Sequence, residues 1–426
     1  MYILMISRGI PSDKDPQWGC FEQDQAEALA ALGHKVVVAS VDGRLRFYYR
    51  KIGITTEKKN GVIYYNSFIA PVANIGLSTH SLSRRVREWQ LERIYKMVEK
   101  AYGKPDVVYG QYFFISYTAI RLCQKHNLPL VTIEHAGRFR EEKVDRRSLK
   151  YSRELYKYTA ANIAVSHSLA NALKKLFGID CYVIHNVYSK EFQYFPQEKK
   201  HSETVRFVST GSLVPIKCHN LLIEAFAKFS QSKDNWELNI IGDGVCRKSL
   251  QQQIEQSGLT EHIHLVGRMP KSKIVNILNS SDVYVLSSRI ETFSVASIEA
   301  LACGLPVIAT RCGGPEEFMN ENNGLLVPVN DADALAKGIE YMYEHYRDYD
   351  RQAIADDCKA RFSAEVIARQ LTEIFEEVTA RKSEKTSNNQ HNVIFRRALF
   401  FEKTEMWIWR EIHSVTVCSK KEKNQG

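Results

Sequence analysis

The chain has 426 residues, a length that predicts two domains, and its apolar content of 44% excludes general disorder. Its nine cysteines are odd in number and form no CxxC pair, which argues against a disulfide framework or a zinc cluster and favours reduced thiols in a cytosol. The net charge of +9 favours anionic partners.

The first half of the chain alternates strand and helix patterns. Met1–Ser7 is too short for a signal peptide and has no basic residues ahead of it, so it predicts the first strand of a sheet. The predicted strands are 3–7, 36–40, 107–109, 130–133 and 163–165, and the predicted helices are 21–32, 81–101, 115–126 and 168–177. The opening β-α-β order resembles a doubly wound sheet, so residues 1–195 are predicted to form an N-terminal Rossmann-like domain.

A polar stretch, residues 196–204, predicts an interdomain linker, and a second β/α series follows it. The predicted strands are 205–209, 236–241, 263–266, 283–286, 307–309 and 325–327, and the predicted helices are 219–229, 271–279, one that starts near 294, 333–346 and 364–380. Residues 205–380 are therefore predicted to form a second Rossmann-like domain. Two such domains make a cleft, with ligands at the carboxyl ends of the strands.

Residues 381–426 are predicted to form a basic, aromatic-rich tail, with ten Lys or Arg against five Glu. As a helix, segment 393–412 either packs on the protein body or a partner chain, or lies in a membrane interface. Further basic residues are Arg44, Arg46, Arg50, Lys51, Arg84, Arg85 and Arg87. The sequence has no helix-turn-helix, zinc-finger or RNA-binding signature, so an anionic membrane surface is favoured over nucleic acid. No uncharged apolar run approaches the roughly 20 residues that span a bilayer, so we expect a cytoplasmic or peripheral inner-face location.

Glu291 and Glu299 stand eight residues apart in the most informative stretch of the chain. Strand 283–286 ends, a polar turn carries Glu291, and a helix starts near Ser294 with Glu299 in its second turn. A helix start has free backbone N–H groups and a positive dipole end, which suit an anionic ligand. The two carboxylates can accept hydrogen bonds from sugar or ribose hydroxyls. The alternative is two solvated acids at a helix start, where acids are common.

Two further residues at strand ends are candidates for ligand contact. Lys217 follows the turn at Gly211 and stands just ahead of a helix, where a lysine neutralises phosphate, although surface lysines are common. His135 ends a buried strand of the first domain and would face the cleft. It would contact the acceptor or the reacting sugar, or serve as a hydrogen-bonded structural histidine.

Other motifs are excluded by their residues. Gly242-Asp-Gly244 lacks the last glycine of a dinucleotide fingerprint, because Arg247 stands in that place. The acidic pairs Asp13/Asp15 and Asp331/Asp333 have the spacing of a metal-binding motif. We interpret the first as a loop and the second as a helix cap, and neither as a metal site.

Taken together, these residues resemble the retaining glycosyltransferases of family four, which have the GT-B fold of two Rossmann-like domains. The resemblance covers nearly all of residues 1 to 380. Its most specific part looks like the family's E-x7-E donor motif, which runs from Glu291 through Glu299 to the segment 313–316. Supporting segments are 211–217, 133–135, 165–166, 184–187, 19–21 and 32–36.

The resemblance implies a role for each matching residue. The catalytic residues would be His135 and Glu291, and the donor-binding residues would be Gly19, Gly211, Ser212, Lys217, Arg268, Phe293, Ser294 and Glu299. Glu299 would bind the donor's ribose, Glu291 would lie near the donor sugar's hydroxyls, and Lys217 would hold the diphosphate. The backbone of 293–294 would meet sugar or phosphate, and that of Gly19 would approach the diphosphate. Residues around 267–268 would flank the base, and neither a metal nor another cofactor is expected.

The chain departs from the family at two places. Many members carry Arg where this chain has Ser212, so the diphosphate clamp has one positive charge fewer. Lys217 and the helix dipole remain, and Arg289 and Arg8 are the candidates to replace the missing charge. Tyr109-Gly-Gln111 stands where relatives often have a histidine-containing segment, which affects the acceptor side.

The predicted function is therefore transfer of a hexose-like unit from a nucleotide-diphosphate sugar to a glycan or lipid-linked acceptor. Retention of the anomeric configuration and a place in surface polysaccharide or glycoconjugate synthesis follow from the resemblance. The protein would position the reactants and stabilise the leaving diphosphate. Two alternatives remain: a sugar-nucleotide epimerase of GT-B fold, and a non-catalytic sugar-nucleotide-binding scaffold, to which the serine at position 212 lends weight.

Overall fold

The computed structural model describes residues 1–12, 18–44, 50–69, 80–141, 143–196 and 204–387, with the backbone alone for 80–82 and 383–387. Residues 1–379 form one compact unit, and the chain from 380 onward belongs to a second. The predicted segment 393–412, Arg46 and the pair Asp13/Asp15 lie outside the described residues.

An eight-stranded sheet occupies the first half of the chain. Its strands are β1 Tyr2–Ser7, β2 Lys35–Asp42, β3 Gly53–Lys59, β4 Val62–Phe68, β5 Val107–Gln111, β6 Leu130–Glu134, β7 Ala161–Ala164 and β8 Tyr182–Val183. Its helices are α1 Cys20–Ala31, α2 His80–Tyr102, α3 Phe113–His126, α4 Arg146–Leu155 and α5 His167–Phe177. The strand order is β3-β4-β2-β1-β5-β6-β7-β8. The chain builds β2 on one side of β1 and then crosses to β5 on the other, which opens a crevice at their carboxyl ends.

A six-stranded parallel sheet occupies the second half, in the order β11-β10-β9-β12-β13-β14. Its strands are β9 Val205–Thr210, β10 Trp236–Ile241, β11 Ile263–Gly267, β12 Val283–Leu286, β13 Val307–Thr310 and β14 Gly324–Val327. Its helices are α6 His219–Phe229, α7 Arg247–Gln256, α8 Lys271–Ser280, α9 Val295–Ala302, α10 Ala332–His345, α11 Arg351–Phe362 and α12 Ala364–Ser387. β12 lies beside β9, so the turns that follow these two strands meet at one edge of the sheet.

Four inner strands, β1, β6, β12 and β13, are buried along their whole length. Continuous apolar runs of this kind are typical of parallel sheets that are covered on both faces, so the predicted α/β class is confirmed. Asp331 caps α10 by accepting a hydrogen bond from the N–H of Ala334 at 2.8 Å, as predicted. Among the described residues, no helix combines the length and the apolar character that crossing a membrane requires.

Several elements differ from the sequence-based prediction. The antiparallel hairpin β3–β4 was not predicted, nor were the helices α4, α7 and α11. Helix α12 continues to Ser387, beyond the predicted end at residue 380. The proposed domain boundary at 196–204 stays a prediction, because most of that segment lies outside the described residues.

Candidate functional site

Lys217 and Glu291 face each other at the edge where the turns after β9 and β12 meet. The lysine Nζ donates to Oε1 of Glu291 at 2.5 Å, and the hydroxyl of Ser288 donates to the same oxygen at 2.7 Å. The two charged side chains are 27% and 11% exposed. The carboxylate is therefore the counter-ion of the lysine.

The start of α9 is held in a fixed conformation by the chain around it. Ser294 precedes the helix in a left-handed conformation, with φ 74° and ψ 73°, and its hydroxyl lies 2.9 Å from that of Ser297. The ring of Phe293 is fully buried and stacks on His185, with the ring centroids 4.8 Å apart. A Cβ at Gly314 would lie 2.6 Å from the Phe293 backbone, so only glycine fits there. The phenylalanine ring is an anchor, which leaves its backbone to meet a ligand.

Glu299, in the second turn of α9, differs from Glu291 in its surroundings. Within the described part of the chain, no side-chain hydrogen bond or ion pair engages its carboxylate. Burial raises the pKa of Glu299 to about 8, and the positive charge of Lys271 opposes that rise. Hydroxyl donors brought by a ligand would stabilise the ionised form of this buried carboxyl group, which burial otherwise disfavours.

Lys271, at the start of α8, joins the two halves of the molecule beside Glu299. Its Nζ lies 3.3 Å from both carboxylate oxygens of Asp24, which belongs to α1. Burial raises the pKa of Asp24 to about 6, although the lysine lowers it. Sequence reasoning missed this pair, because residues far apart in the chain, with no motif around either, give no signal that they meet.

Arg289 and Arg8 are the two candidates for the positive charge that Ser212 does not supply. The backbone N–H of Arg289 donates to the carbonyl of Ile216 at 2.9 Å, which places Arg289 beside the Lys217 turn. Arg8, the other predicted candidate, forms a bidentate pair with Glu22 at 2.6 and 3.0 Å. Arg289 is thus the arginine that lies next to the lysine.

His219, the first residue of α6, was not singled out from the sequence as a site residue. Burial and the neighbouring Lys217 lower the pKa of His219 to about 4, so the ring is neutral at physiological pH. Its Nδ1 is buried and has no hydrogen-bond partner among the described residues. The ring also lies against Gly211, whose carbonyl in turn packs on Gly242. The predicted Gly211 turn is therefore a close-packed junction beside the lysine.

His135 ends β6 in the first half, as predicted. Its Nε2 lies 3.0 Å from Oε1 of Gln111, and its Nδ1 is buried without a partner in the described structure. Burial, together with the positive charge of Arg8, lowers the pKa of His135 to about 3. The histidine is neutral at physiological pH, so it can act on a ligand through hydrogen bonds and not through charge.

The neighbouring Glu134 orders the same turn. Its carboxylate accepts backbone hydrogen bonds from Phe113, His135 and Ala136 at 2.9, 2.9 and 2.7 Å. Burial raises the pKa of Glu134 to about 7, and these three donors oppose the rise. The glutamate therefore fixes the start of α3 and the backbone of His135.

Arg140 reaches from the first half to the turn that carries Glu291. Its Nη1 donates to the carbonyl oxygens of Glu291 and Cys312. Gly313 has a φ of 101°, which side chains rarely adopt, and a Cβ there would fall inside the guanidinium group of Arg140. Arg140 was missed from the sequence, although a cation that follows the strand-end His135 was an available signal.

Two predicted donor residues lie at the margins of this cluster. Gly19 precedes α1 with φ 82°, and a Cβ there would lie 2.2 Å from the carbonyl oxygen of Gly9. Packing of the chain thus already requires a glycine at this position. Arg268 follows β11, two strands from β9, and is exposed to solvent.

Comparison with known families matches the two halves separately. A model of the glycosyl transferases group 1 matches residues 190–356, and a model of Glycosyltransferase Family 4 matches residues 23–191. TuaC of Bacillus subtilis (strain 168), a glycosyltransferase assigned to teichuronic acid biosynthesis, is 26% identical over 406 residues. That match covers 89% of this chain and 99% of TuaC.

Solved structures share the fold over most of the chain. Sucrose-phosphate synthase from Thermosynechococcus elongatus is 18% identical with a TM-score of 0.73, and the match covers 89% of this chain and all of that one. Anabaena HepE, solved in complex with UDP, is 18% identical with a TM-score of 0.66, and the match covers 88% and 99% of the two chains. At these identities the likeness concerns the fold alone.

Proposed function

Because the chain belongs to the glycosyltransferase group 1 and family 4 enzymes, with the GT-B fold, we propose that it transfers a hexose-like unit from a nucleoside-diphosphate sugar to a hydroxyl of a glycan or lipid-linked acceptor. We place the reaction in surface polysaccharide or glycoconjugate synthesis, with retention of the anomeric configuration. The observation that carries the proposal is that the two glutamates at α9, Glu291 and Glu299, have different surroundings. One carboxylate is paired with Lys217, and the other, on Glu299, has no partner among the described residues.

The donor's diphosphate would bind at the start of α9, beside Lys217. The backbone N–H groups after Phe293 and the positive end of the helix dipole favour an anion there. Arg289 would supply the charge that Ser212 does not, because its backbone bond holds it beside the lysine turn. The diphosphate leaves with increased negative charge when the bond to the sugar breaks, so fixed positive groups at this point lower the barrier.

Glu299 would accept hydrogen bonds from the ribose hydroxyls, and Glu291 would turn from the lysine to the transferred sugar. His135 would hydrogen-bond that sugar as a neutral ring, in keeping with its lowered pKa. Gly19 would bring α1 close to the diphosphate, and Arg268 would lie beside the base. Each group positions the donor, so the acceptor hydroxyl meets the anomeric carbon in a defined geometry.

The test is incubation of the full-length protein with UDP-, GDP- and ADP-sugars and with lipid-linked acceptors, followed by mass spectrometry. An acceptor product heavier by one sugar supports transfer. An isomerised donor without such a product supports a sugar-nucleotide epimerase, and binding without turnover supports a scaffold. A matched pair of variants, Glu299→Gln in the site and Glu321→Gln on the exposed surface, ties any activity to this cleft.

We also propose that the protein works peripherally on an anionic membrane, since the tail contributes five positive charges to the net charge of +9. Cosedimentation with vesicles of phosphatidylglycerol and phosphatidylethanolamine measures this. Truncation after residue 385 is expected to reduce binding. Unchanged binding of the truncated chain would move the contact to the basic residues of α2.

A further inference from the structure

A cavity separate from the candidate donor site opens at the carboxyl edge of the first sheet. It encloses about 290 Å³ and is lined by residues that follow β1, β2 and β5 and by residues of α2, α3 and α4. We call it the arginine cavity, because its described lining includes Arg8, Arg44, Arg84, Arg87 and Arg147, with Asp42 as the one acid among them. It lies at the switch point between β1 and β5, where open α/β sheets bind their ligands.

The arginine cavity adjoins His135, the residue we place at the transferred sugar. The guanidinium carbon of Arg8 lies 4.0 Å from the ring centroid of Tyr112. That ring in turn lies 4.7 Å from the ring of His135. One aromatic ring therefore separates the cavity from the candidate reaction site, a distance that an acceptor can bridge.

Two of the arginines are already matched by carboxylates. Arg8 is paired with Glu22, as described above. Arg44 donates to Asp42 at 2.8 Å, but that same carboxylate also receives a hydrogen bond from Arg50 at 2.7 Å. Arg44 and Arg50 thus both donate to the carboxylate of Asp42.

Among the described residues, no carboxylate forms a hydrogen bond or ion pair with Arg87. Its Nη1 donates to the neutral carbonyl oxygen of Val41 at 2.6 Å. Burial lowers the pKa of Arg87, Asp42 opposes that change, and the charge of Arg44 lowers the pKa further. This arginine is held in place by the backbone, and its charge remains available to a ligand.

The remaining two arginines come from α2 and α4. Arg84 donates to the hydroxyl of Tyr117 at 2.9 Å, and its nearest acid, Glu88, is 3.6 Å from its Nε. Arg147 is exposed, and no side-chain hydrogen bond or ion pair joins it to another described residue. Among the described residues, Arg84, Arg87 and Arg147 thus have no carboxylate within hydrogen-bond distance, and a bound anion would relieve the repulsion between these charges.

We propose that the arginine cavity binds a phosphate ester carried by the acceptor, which makes the acceptor a phosphorylated saccharide; this rests on the transferase function proposed above. A tetrahedral phosphate presents oxygens in several directions and can engage arginines of α2 and α4 together. A planar carboxylate is matched by a single guanidinium. The rings of Tyr117 and Tyr151, stacked with centroids 4.7 Å apart, give the group attached to the phosphate an apolar wall.

Binding of inorganic pyrophosphate, measured by calorimetry on the full-length protein, tests the cavity without any turnover. Lys217→Met weakens pyrophosphate binding at the proposed donor site, so the contribution of the arginine cavity is measured as a change from the Lys217→Met parent. In that background, Arg84→Met with Arg147→Met is expected to weaken pyrophosphate binding about tenfold or more. Arg147→Met alone should also weaken pyrophosphate binding, and because the position is exposed, the substitution carries little risk to folding.

The matched control is Arg153→Met, an exposed arginine of the same helix α4 that does not line this cavity. Its pyrophosphate affinity should equal that of the Lys217→Met parent. Equal affinity in the Arg84/Arg147 variant as well would overturn the proposal, whatever the outcome for donor turnover.

Transfer assays then distinguish the source of the phosphate. One saccharide is offered as its polyprenyl diphosphate, as its 1-phosphate, as a glycoside of a uronic acid and as an uncharged alkyl glycoside. A preference of about tenfold or more for either phosphorylated form supports the proposal. The Arg84/Arg147 variant should lose this preference, with a higher KM for the acceptor and an unchanged KM for the donor. Equal use of the uncharged or uronic acid glycoside by the wild type contradicts it. Absence of transfer to every acceptor refutes the proposed function, while pyrophosphate binding still decides about the cavity.

Discussion

Replacing Glu299 by glutamine tests the candidate donor site most directly, because the carboxylate has no partner among the described residues that the substitution would disturb. A hydrogen bond to a charged group contributes about 1.5–3 kcal/mol, and glutamine keeps the shape while it removes the charge. We therefore expect that above about pH 8, where Glu299 is ionised, the substitution raises the dissociation constant of the preferred nucleoside diphosphate roughly tenfold to a hundredfold. Calorimetric titration with UDP, GDP and ADP identifies that ligand and measures the change.

The pH dependence gives the same substitution a second readout. Folding raises the pKa of Glu299 from 4.5 to about 8, so the folded chain holds a proton that the unfolded chain releases. Across that window stability falls as pH rises, because the folded state binds more protons than the unfolded state. The melting temperature of the wild type should fall more between pH 5 and pH 8 than that of Glu299→Gln. Ligand affinity of the wild type should rise through about pH 8, as the carboxylate ionises, and that rise should be absent in the variant.

Glu321→Gln, at an exposed acid on the same half of the molecule, is the control and should change neither quantity. An unchanged dissociation constant in Glu299→Gln, together with a melting profile parallel to that of the wild type, would refute the assignment of this carboxylate to the ligand.

Two further predictions concern the charges around this site. Lys217→Met should weaken nucleoside diphosphate binding by about tenfold or more in calorimetry, whereas Lys228→Met, at a surface lysine paired with an exposed aspartate, should not; equal losses would show a general charge effect. Lys271→Met should move the pH midpoint of ligand binding upward, because the lysine lowers the pKa of Glu299, and Asp24→Asn should move it downward, because that aspartate raises it. Shifts of the same sign in both variants would contradict this account of the pKa.

The elements predicted most closely from the sequence are those with a strong apolar signal. The strands 236–241 and 283–286 and the helix 219–229 have the predicted bounds. Strand 236–241 alternates apolar and polar residues, strand 283–286 is a continuous apolar run, and the helix has a clear helical period. Helices α7 and α11 were missed because their sequences are mostly polar and are held by packing against the body.

The missed hairpin β3–β4 has a different cause. Strand β3 is a polar edge strand, with its last five residues exposed, so alternation of apolar residues gives little signal. The turn itself was readable, since Asn60-Gly61, with φ 50° and 79°, is the commonest signature of a two-residue hairpin.

The candidate site was predictable where it depends on one sheet. The approach of Lys217 to Glu291 follows from strands β9 and β12 being neighbours, with both residues in the turns that end them. The contacts of Lys271 with Asp24 and of Arg140 with the Glu291 carbonyl join segments from different sheets. No periodicity or spacing encodes how two sheets approach each other, so such contacts came only from the structure.

If Lys217 holds the donor's diphosphate as proposed, its pairing with Glu291 makes donor binding an ion exchange. The glutamate is an internal competitor for the lysine, so a phosphate would have to displace a carboxylate already held at 2.5 Å. A spent nucleoside diphosphate that took the lysine would leave the displaced carboxylate with the Ser288 hydroxyl. A loaded donor would bring sugar hydroxyls to that same carboxylate. The exchange would therefore favour entry of the loaded donor and departure of the spent one, and it would select against other anions of the surroundings.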